Sequence, residues 1–378
     1  MNNRMLSALL LLFVLFSDVA LSAEPERDFR LHQYHFGEIS IPSASADEPV
    51  ANRLSIAKAR AYLDGGAKAW ANDRGCVSCH TTGWYGILRP QLISTLGPPD
   101  PAFRRFLESV LHETIAEERN KTARGTGPAQ VVYLAASLAS WDAHVTKQLS
   151  TETQNALELT FSLQQENGAW SSVQTWPPFE SDAYQLATVA AMAAGLAPGW
   201  IEQHRADELG EGVARLRNYL KTTEPPHDYA RVALLWASRY LPGLLDSETK
   251  DVITKTVLDR QRPDGGWSLR SFGEPEQWGV GNRSERLRAE ADFDSPPSDG
   301  HQTGLAIVVL SEAGIPSSHP AIQRGLTWLK RNQRQSGRWW TKSLNTDKWN
   351  FITFTGTLYP VMALTMTGSE DSASSPTQ

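Results

Sequence analysis

The chain has 378 residues, 40% of them hydrophobic, and 36 Lys and Arg stand against 42 Asp and Glu for a formal net charge of −6. That length supports one large core or two modest ones. No basic run occurs, which argues against nucleic acid and anionic membrane surfaces as partners.

Residues 1–23 read as a secretory signal peptide. Arg4 gives a positive start, Leu6 to Phe16 is an apolar run broken only by Ser7, and Ala20, Ser22 and Ala23 allow cleavage after Ser22 or Ala23. The run is too short to cross a bilayer and the polar stretch Glu24 to Arg30 follows it, so no membrane span is expected after cleavage. The expected location is the periplasm, or outside the cell. Residues 24–50 read as an N-terminal extension.

A helical pattern over 53–71 stops just before Cys76-Val77-Ser78-Cys79-His80, which holds both cysteines of the chain. In c-type cytochromes the two sulfurs of such a motif form thioethers to the haem and the histidine is the proximal iron ligand. In an oxidising compartment the same pair could instead close a local disulfide. Zinc is a poorer match, because a tetrahedral site takes four ligands and no second Cys or His pair stands at usable spacing. The expectation is one covalent haem c held by Cys76, Cys79 and His80.

Beyond the motif, two kinds of helical segment alternate. Amphipathic ones fall at about 53–71, 101–118, 150–165, 207–221, 247–261 and 320–333; more apolar, small-residue-rich ones fall at about 84–96, 127–143, 181–196, 228–242, 299–314 and 350–366. A helix apolar all round belongs inside. Six alternating pairs predict an all-α (α/α)6 toroid over 51–367, with outer and inner rings; an open superhelix of helical pairs is the alternative. Residues 268–298, rich in Gly, Pro, Glu and Arg, read as an inserted rim loop, and 368–378 as a disordered Ser-rich tail.

Three amphipathic segments end alike, in Gln-Gln-Glu-Asn-Gly168-Ala-Trp170, Gln261-Arg-Pro-Asp-Gly-Gly266-Trp267 and Gln333-Arg-Gln-Ser-Gly337-Arg-Trp339. The glycines, among them Gly168, Gly266 and Gly337, permit a left-handed turn, the Gln amide can cap freed backbone groups, and Trp covers the turn. These residues resemble the QW repeat of squalene–hopene cyclases and of the wider prenyltransferase and terpene cyclase toroids. The third copy, with Gly325, Trp328, Leu329, Gln333, Gly337 and Trp339, is the fullest, and Pro296-Pro297-Ser298-Asp299-Gly300-His301-Gln302-Thr303 is similar to a stretch of the cyclases.

In such a toroid the outer-to-inner turns share one mouth. Gln130, Asp182, Tyr184, His227, Asp228, Tyr229, Asp299, His301, Gln302 and the Cys76–His80 motif are therefore expected around it. The resemblance implies a proton-donating Asp in an Asp-x-Asp-Asp motif, and this chain has none. The nearest stretches are Glu180-Ser181-Asp182 and Asp292-Phe293-Asp294. Asp182 also reads as a helix N-cap, and Asp292 with Asp294 as a solvated loop pair. The family's Asp/Cys/His zinc site lacks its Cys beside Asp299 and His301. Asp182, Asp292, Asp294, Asp299 and His301 are the candidate acids and bases, and His301 or His227 the candidate distal haem ligand. Met192, Met362 and Met366 read as core, and the repeated Trp as structural or as an aromatic lining that stabilises cations.

The leading reading is a periplasmic c-type-haem toroid with a redox or electron-transfer role at the barrel mouth and a periplasmic redox partner. The alternative is a squalene–hopene-cyclase-like enzyme, or a non-catalytic toroid, that takes an apolar or small-molecule ligand in its cavity. In that reading the Cys pair is a structural disulfide.

Overall fold

The computed structural model describes residues 32–345 and 350–368. The expected signal peptide, and the tail beyond Gly368, lie outside the described residues.

Among the described residues, twelve principal helices alternate between an outer and an inner ring. The outer ones are α1 (Ile56–Arg74), α3 (Pro101–Ala116), α5 (Thr151–Ser162), α7 (Glu208–Thr222), α9 (Ser247–Asp259) and α11 (Pro320–Asn332). The inner ones are α2 (Thr82–Leu88), α4 (Gly127–Trp141), α6 (Ala183–Leu196), α8 (Asp228–Tyr240), α10 (Gly300–Glu312) and α12 (Thr355–Met366). Burial separates the rings as amphipathicity requires. On α7 the buried residues are Gly212, Val213, Leu216 and Leu220, one stripe, whereas every residue of α10 from Gly300 to Leu310 is buried. Each inner helix packs against the next, and α12 touches α2, so the ring is closed.

The repeated Gln, Gly and Trp hold the rings together by one geometry used three times. Trp170, Trp267 and Trp339 each donate Nε1 to a carbonyl ten residues back, on Thr160, Val257 and Leu329, at 2.7, 2.7 and 2.8 Å. Gln164, Gln261 and Gln333 each donate Nε2 to the glycine carbonyl four residues on and to the start of the next outer helix. Those second acceptors are the carbonyls of Gly212, Ala321 and Ser55. The last bond joins α11 to the N-cap of α1, and Gln333 Oε1 also accepts from Ser55 N at 2.7 Å. The seam between the chain's two ends is thus hydrogen-bonded.

In the second copy the left-handed residue is Gly265 (φ 90°), not the expected Gly266, matching Gly168 and Gly337 at φ 94°. It lies two residues before its Trp, as the other two do. A Cβ on Gly168 would meet the Arg215 carbonyl oxygen of α7 at 2.4 Å, and one on Gly337 the Lys58 carbonyl carbon of α1 at 2.4 Å. Each turn is a wedge pressed against the next outer helix.

Three departures from the sequence expectation have local causes. The segment 84–96 breaks into α2, a 3-10 turn at Arg89–Leu92 and a short helix at Ile93–Leu96, because Pro90 removes a helical N–H. The extension contains an antiparallel hairpin, His32–Phe36 with Ile39–Pro42, that packs on α1 and buries Tyr34. Segment 268–298 holds two 3-10 turns and a helix at Arg283–Arg288. It is braced internally by Arg270 on Glu290 and anchored by Arg270 on the Lys342 carbonyl and Arg286 on the Leu344 carbonyl.

Candidate functional site

Asp182, His227 and Asp299 stand at the N-caps of α6, α8 and α10, each receiving the third backbone N–H of its helix. Local capping chemistry therefore places all three at one end of the inner ring. His301, the second residue of α10, is fully buried. Its Nδ1 lies 2.9 Å from the Thr355 hydroxyl, whose own proton goes to the Ile352 carbonyl at 3.0 Å. Nδ1 must therefore carry the proton, and Nε2 accepts from the Tyr229 hydroxyl at 3.1 Å. Burial holds the imidazole neutral, its pKa lowered to about 3.

Asp299 is buried as well. Its Oδ1 accepts from Gln302 N at 2.8 Å and its Oδ2 from Leu269 N at 2.6 Å. Burial outweighs these two donors and raises the carboxyl to about 6. Asp182 behaves oppositely: burial raises it, but His227, Gln185 N and Ser181 together bring it below the usual carboxylate range. His227 Nδ1 accepts from Ala230 N at 2.9 Å, so its proton sits on Nε2, 3.5 Å from Asp182 Oδ2. That spacing is an ion-pair distance whose geometry falls short of a hydrogen bond.

The Cys76–His80 motif turns in at the same end. Trp176 and Phe179 of one loop touch His80 at 5.1 Å and His301 at 5.6 Å between ring centroids. Phe351, just before α12, stacks on His80 at 4.8 Å, and Trp70 meets it edge-on at 4.7 Å. His80 Nδ1 and the Tyr34 hydroxyl both lie 2.9 Å from the Thr81 hydroxyl. Both cysteines are free thiols, Cys76 half-buried and Cys79 buried, so the disulfide of the alternative reading is not formed in this structure. Burial raises both thiols above the ordinary range.

For a haem, the donor set of two free thiols followed by a histidine is chemically apt. The packing is not: rings of Trp70, Trp176 and Phe351 already surround the His80 imidazole. As packed, these residues do not accommodate the group. Of the candidate distal ligands, His301 has both ring nitrogens hydrogen-bonded, to Tyr229 and Thr355, whereas His227 has only Nδ1 so engaged, with Ala230 N. Among the described residues no group of three or more His, Cys, Asp or Glu could hold a metal ion.

Three segments roof this end. Glu180, buried, gathers the backbone of Val173, Gln174 and Thr175 and the hydroxyls of Ser172 and Thr175 onto one carboxylate. Trp278 of the rim segment covers His227 at 4.5 Å between centroids. Arg283 ties the roof together, donating to the Trp278 carbonyl and to Asn345 Oδ1. The expected mouth is consequently closed: His80, His227, Asp299 and His301 are each less than a tenth exposed. Asp292 and Asp299 line a common polar cleft of about 510 Å³ with Arg270, Arg334 and Lys342, whereas Asp294 is exposed outside it. Tyr184 and Asp228, also expected at the mouth, turn to the outer ring, bonding the Leu220 carbonyl and Arg260.

Below the capped end, aromatic side chains meet on the axis. Trp84 of α2 and Trp236 of α8, three places apart in the ring and so opposite one another, stack at 5.4 Å and 6°. Tyr359 of α12 is edge-on to both and lies 4.9 Å from His301; Tyr133 of α4 is edge-on to Trp84. These four aromatics were not singled out by sequence reasoning. The available signal was a large aromatic ring within otherwise small-residue inner helices. Met192 and Met362 are core, as expected.

No family model matches the sequence. Over 112 residues the chain is 29% identical to a squalene-hopene cyclase of Schizosaccharomyces japonicus, a match spanning 30% of this chain and 16% of that protein. It also aligns with the crystal structure of a protein from Actinoplanes over 76% of this chain and 89% of that one, at 12% identity and a TM-score of 0.41. The chain, folded as the all-α toroid described above, has a distant similarity to a squalene-hopene cyclase.

Proposed function

We propose that this protein is a cyclase-type enzyme that receives an apolar isoprenoid at the aromatic centre of the toroid and isomerises it by proton transfer from Asp299. The observation that carries this reading is a buried carboxyl, raised to about 6, two residues before His301, whose ring meets Tyr229 and Tyr359 at the end of an aromatic axis. The distant similarity to a squalene-hopene cyclase supports it. An alkene is so weak a base that its acid must be kept protonated and dry. Asp299 can retain both backbone N–H bonds on lone pairs when protonated, and on delivering its proton becomes a carboxylate that those donors stabilise. The proton forms a C–H bond with one alkene carbon, leaving a cation on the other that ring faces attract. Loss of a proton from a neighbouring carbon completes an isomerisation without change of mass. Incubation with squalene and shorter linear polyprenes, followed by mass spectrometry, is expected to yield isomers of unchanged mass that Asp299→Asn does not form. No isomer from any of them would overturn the reading.

A second reading, a covalent haem on Cys76 and Cys79 with a periplasmic redox role, is favoured by the two free thiols directly ahead of His80. It requires the rings around His80 to give way. A pyridine haemochrome spectrum of protein made with haem-maturation machinery decides it: an α band supports attachment, its absence removes the reading.

A further inference from the structure

Among the described residues four arginines are buried, and three of them sit on a carboxylate. Arg89 pairs with Asp64 at 3.1 Å, Arg104 with Asp142 at 3.2 Å and Arg338 with Glu48 at 2.8 Å. Such pairing is the physical expectation, because a guanidinium taken out of water is costly unless an opposite charge replaces its hydration. The fourth is Arg283 of the roof, 8% exposed. Among the described residues no carboxylate forms an ion pair with it.

Its acceptors are all neutral. Nη1 donates to the Trp278 carbonyl at 2.5 Å and, at 3.5 Å, to that of Gln174. Nη2 donates to Asn345 Oδ1 at 2.9 Å and, at 3.4 Å, to the Thr175 carbonyl. Nε is buried and has no acceptor. The negative charge that acts on Arg283 is Glu180, which spends both carboxylate oxygens on the loop 172–175. Arg286, three residues on, adds a like charge. Burial first, and Arg286 next, hold the Arg283 guanidinium below its ordinary pKa, and Glu180 offsets only part of this. The carbonyl bonds explain a clamp across the roof; they leave the charge unbalanced and Nε idle.

We propose that Arg283 receives an oxyanion at Nε, the carboxylate or phosphate of a ligand bound where the loop 172–180, the rim segment and Asn345 meet. Oxyanions match the guanidinium fork, and the long bonds to Gln174 and Thr175 are the ones that yield to a second ligand oxygen. The assignment is independent of the isomerase reading, since it is read by binding and not by turnover. Isothermal titration of the full chain in a zwitterionic buffer at fixed ionic strength tests it. The probes are inorganic phosphate, geranylgeranoate and geranylgeraniol, the last two below their aggregation thresholds. Saturable binding of phosphate identifies a free oxyanion. Geranylgeranoate bound about tenfold tighter than geranylgeraniol, with phosphate weak, identifies an anionic headgroup. In either case Arg283→Gln should weaken the anion about tenfold or more, and Arg283→Lys, which keeps the charge but not the fork, about threefold. Because Arg283→Gln also loosens the clamp, each variant's melting temperature is measured with and without the anion, and the anion-induced rise should shrink in the same order. Saturation by neither anion, or unchanged affinity in either variant, would overturn the assignment.

Discussion

His301 and His80 show how burial sets chemistry residue by residue. Each imidazole is buried and its pKa falls to about 3, far below the unfolded value near 6.5. Between those values the unfolded chain binds protons that the folded chain does not, so stability must fall as pH drops from about 6.5 toward 3. Asp299 works the other way: raised to about 6, it binds a proton when folded that the unfolded chain has lost, and stability falls as pH rises from about 4 to 6. Chemical denaturation across this range should therefore show a net loss on acidification that is shallower in His301→Gln. Asp299→Asn should steepen it. A His301→Gln slope equal to wild type would contradict the neutral imidazole described above.

The same scale explains what sequence could locate. Asp182, His227 and Asp299 were legible as helix-start residues because capping is a local interaction. The axis was not legible, since the Trp84–Trp236 stack joins residues 152 positions apart on opposite helices and no local pattern encodes it. Asp292 and Asp294 illustrate the converse. Two residues apart in sequence, they part in space, one lining the polar cleft and the other facing solvent.

Among the elements, the Gln-Gly-Trp turn is where sequence said most. Its spacing specified a helix end, a left-handed glycine and a covering indole, although which of Gly265 and Gly266 takes positive φ emerged only from the backbone. Helix existence was legible in all twelve cases, while ends differed where Pro90 intervened and where Phe351–Thr353 forms a 3-10 turn before α12. The hairpin escaped notice because its two strands are only 5 and 4 residues long. Two substitutions test the turn. Trp267→Ala empties a fully buried site and should cost about 3–5 kcal/mol, measured by urea denaturation. Trp267→Phe keeps most of the packing but orphans the Val257 carbonyl, and should cost about 1–3 kcal/mol. Gly168→Ala drives a methyl toward the Arg215 carbonyl at positive φ and should also destabilise, by about 1–3 kcal/mol.

For the whole molecule, closure of the ring distinguishes a toroid from an open superhelix. Gln333 makes that closure with both ends of its amide, to Ser55 N and Ser55 O. Gln333→Ala should lower stability more than Gln164→Ala, whose bond joins only sequential neighbours α5 and α7, as read from their denaturation midpoints. Equal losses would mean that the Gln333 amide does no more at the seam than Gln164 does between sequential helices.

A closed ring with its capped end roofed over packs aromatic rings on its axis and holds one buried carboxyl of raised pKa at that end. Turnover of a linear polyprene in D₂O, followed by mass spectrometry of the product, tests that account most directly. An isomer carrying one solvent deuterium at a saturated carbon, lost in Asp299→Asn and kept when Cys76 and Cys79 are both changed to Ser, is the predicted result. A product free of solvent deuterium, or one formed undiminished by Asp299→Asn, would contradict proton transfer from Asp299.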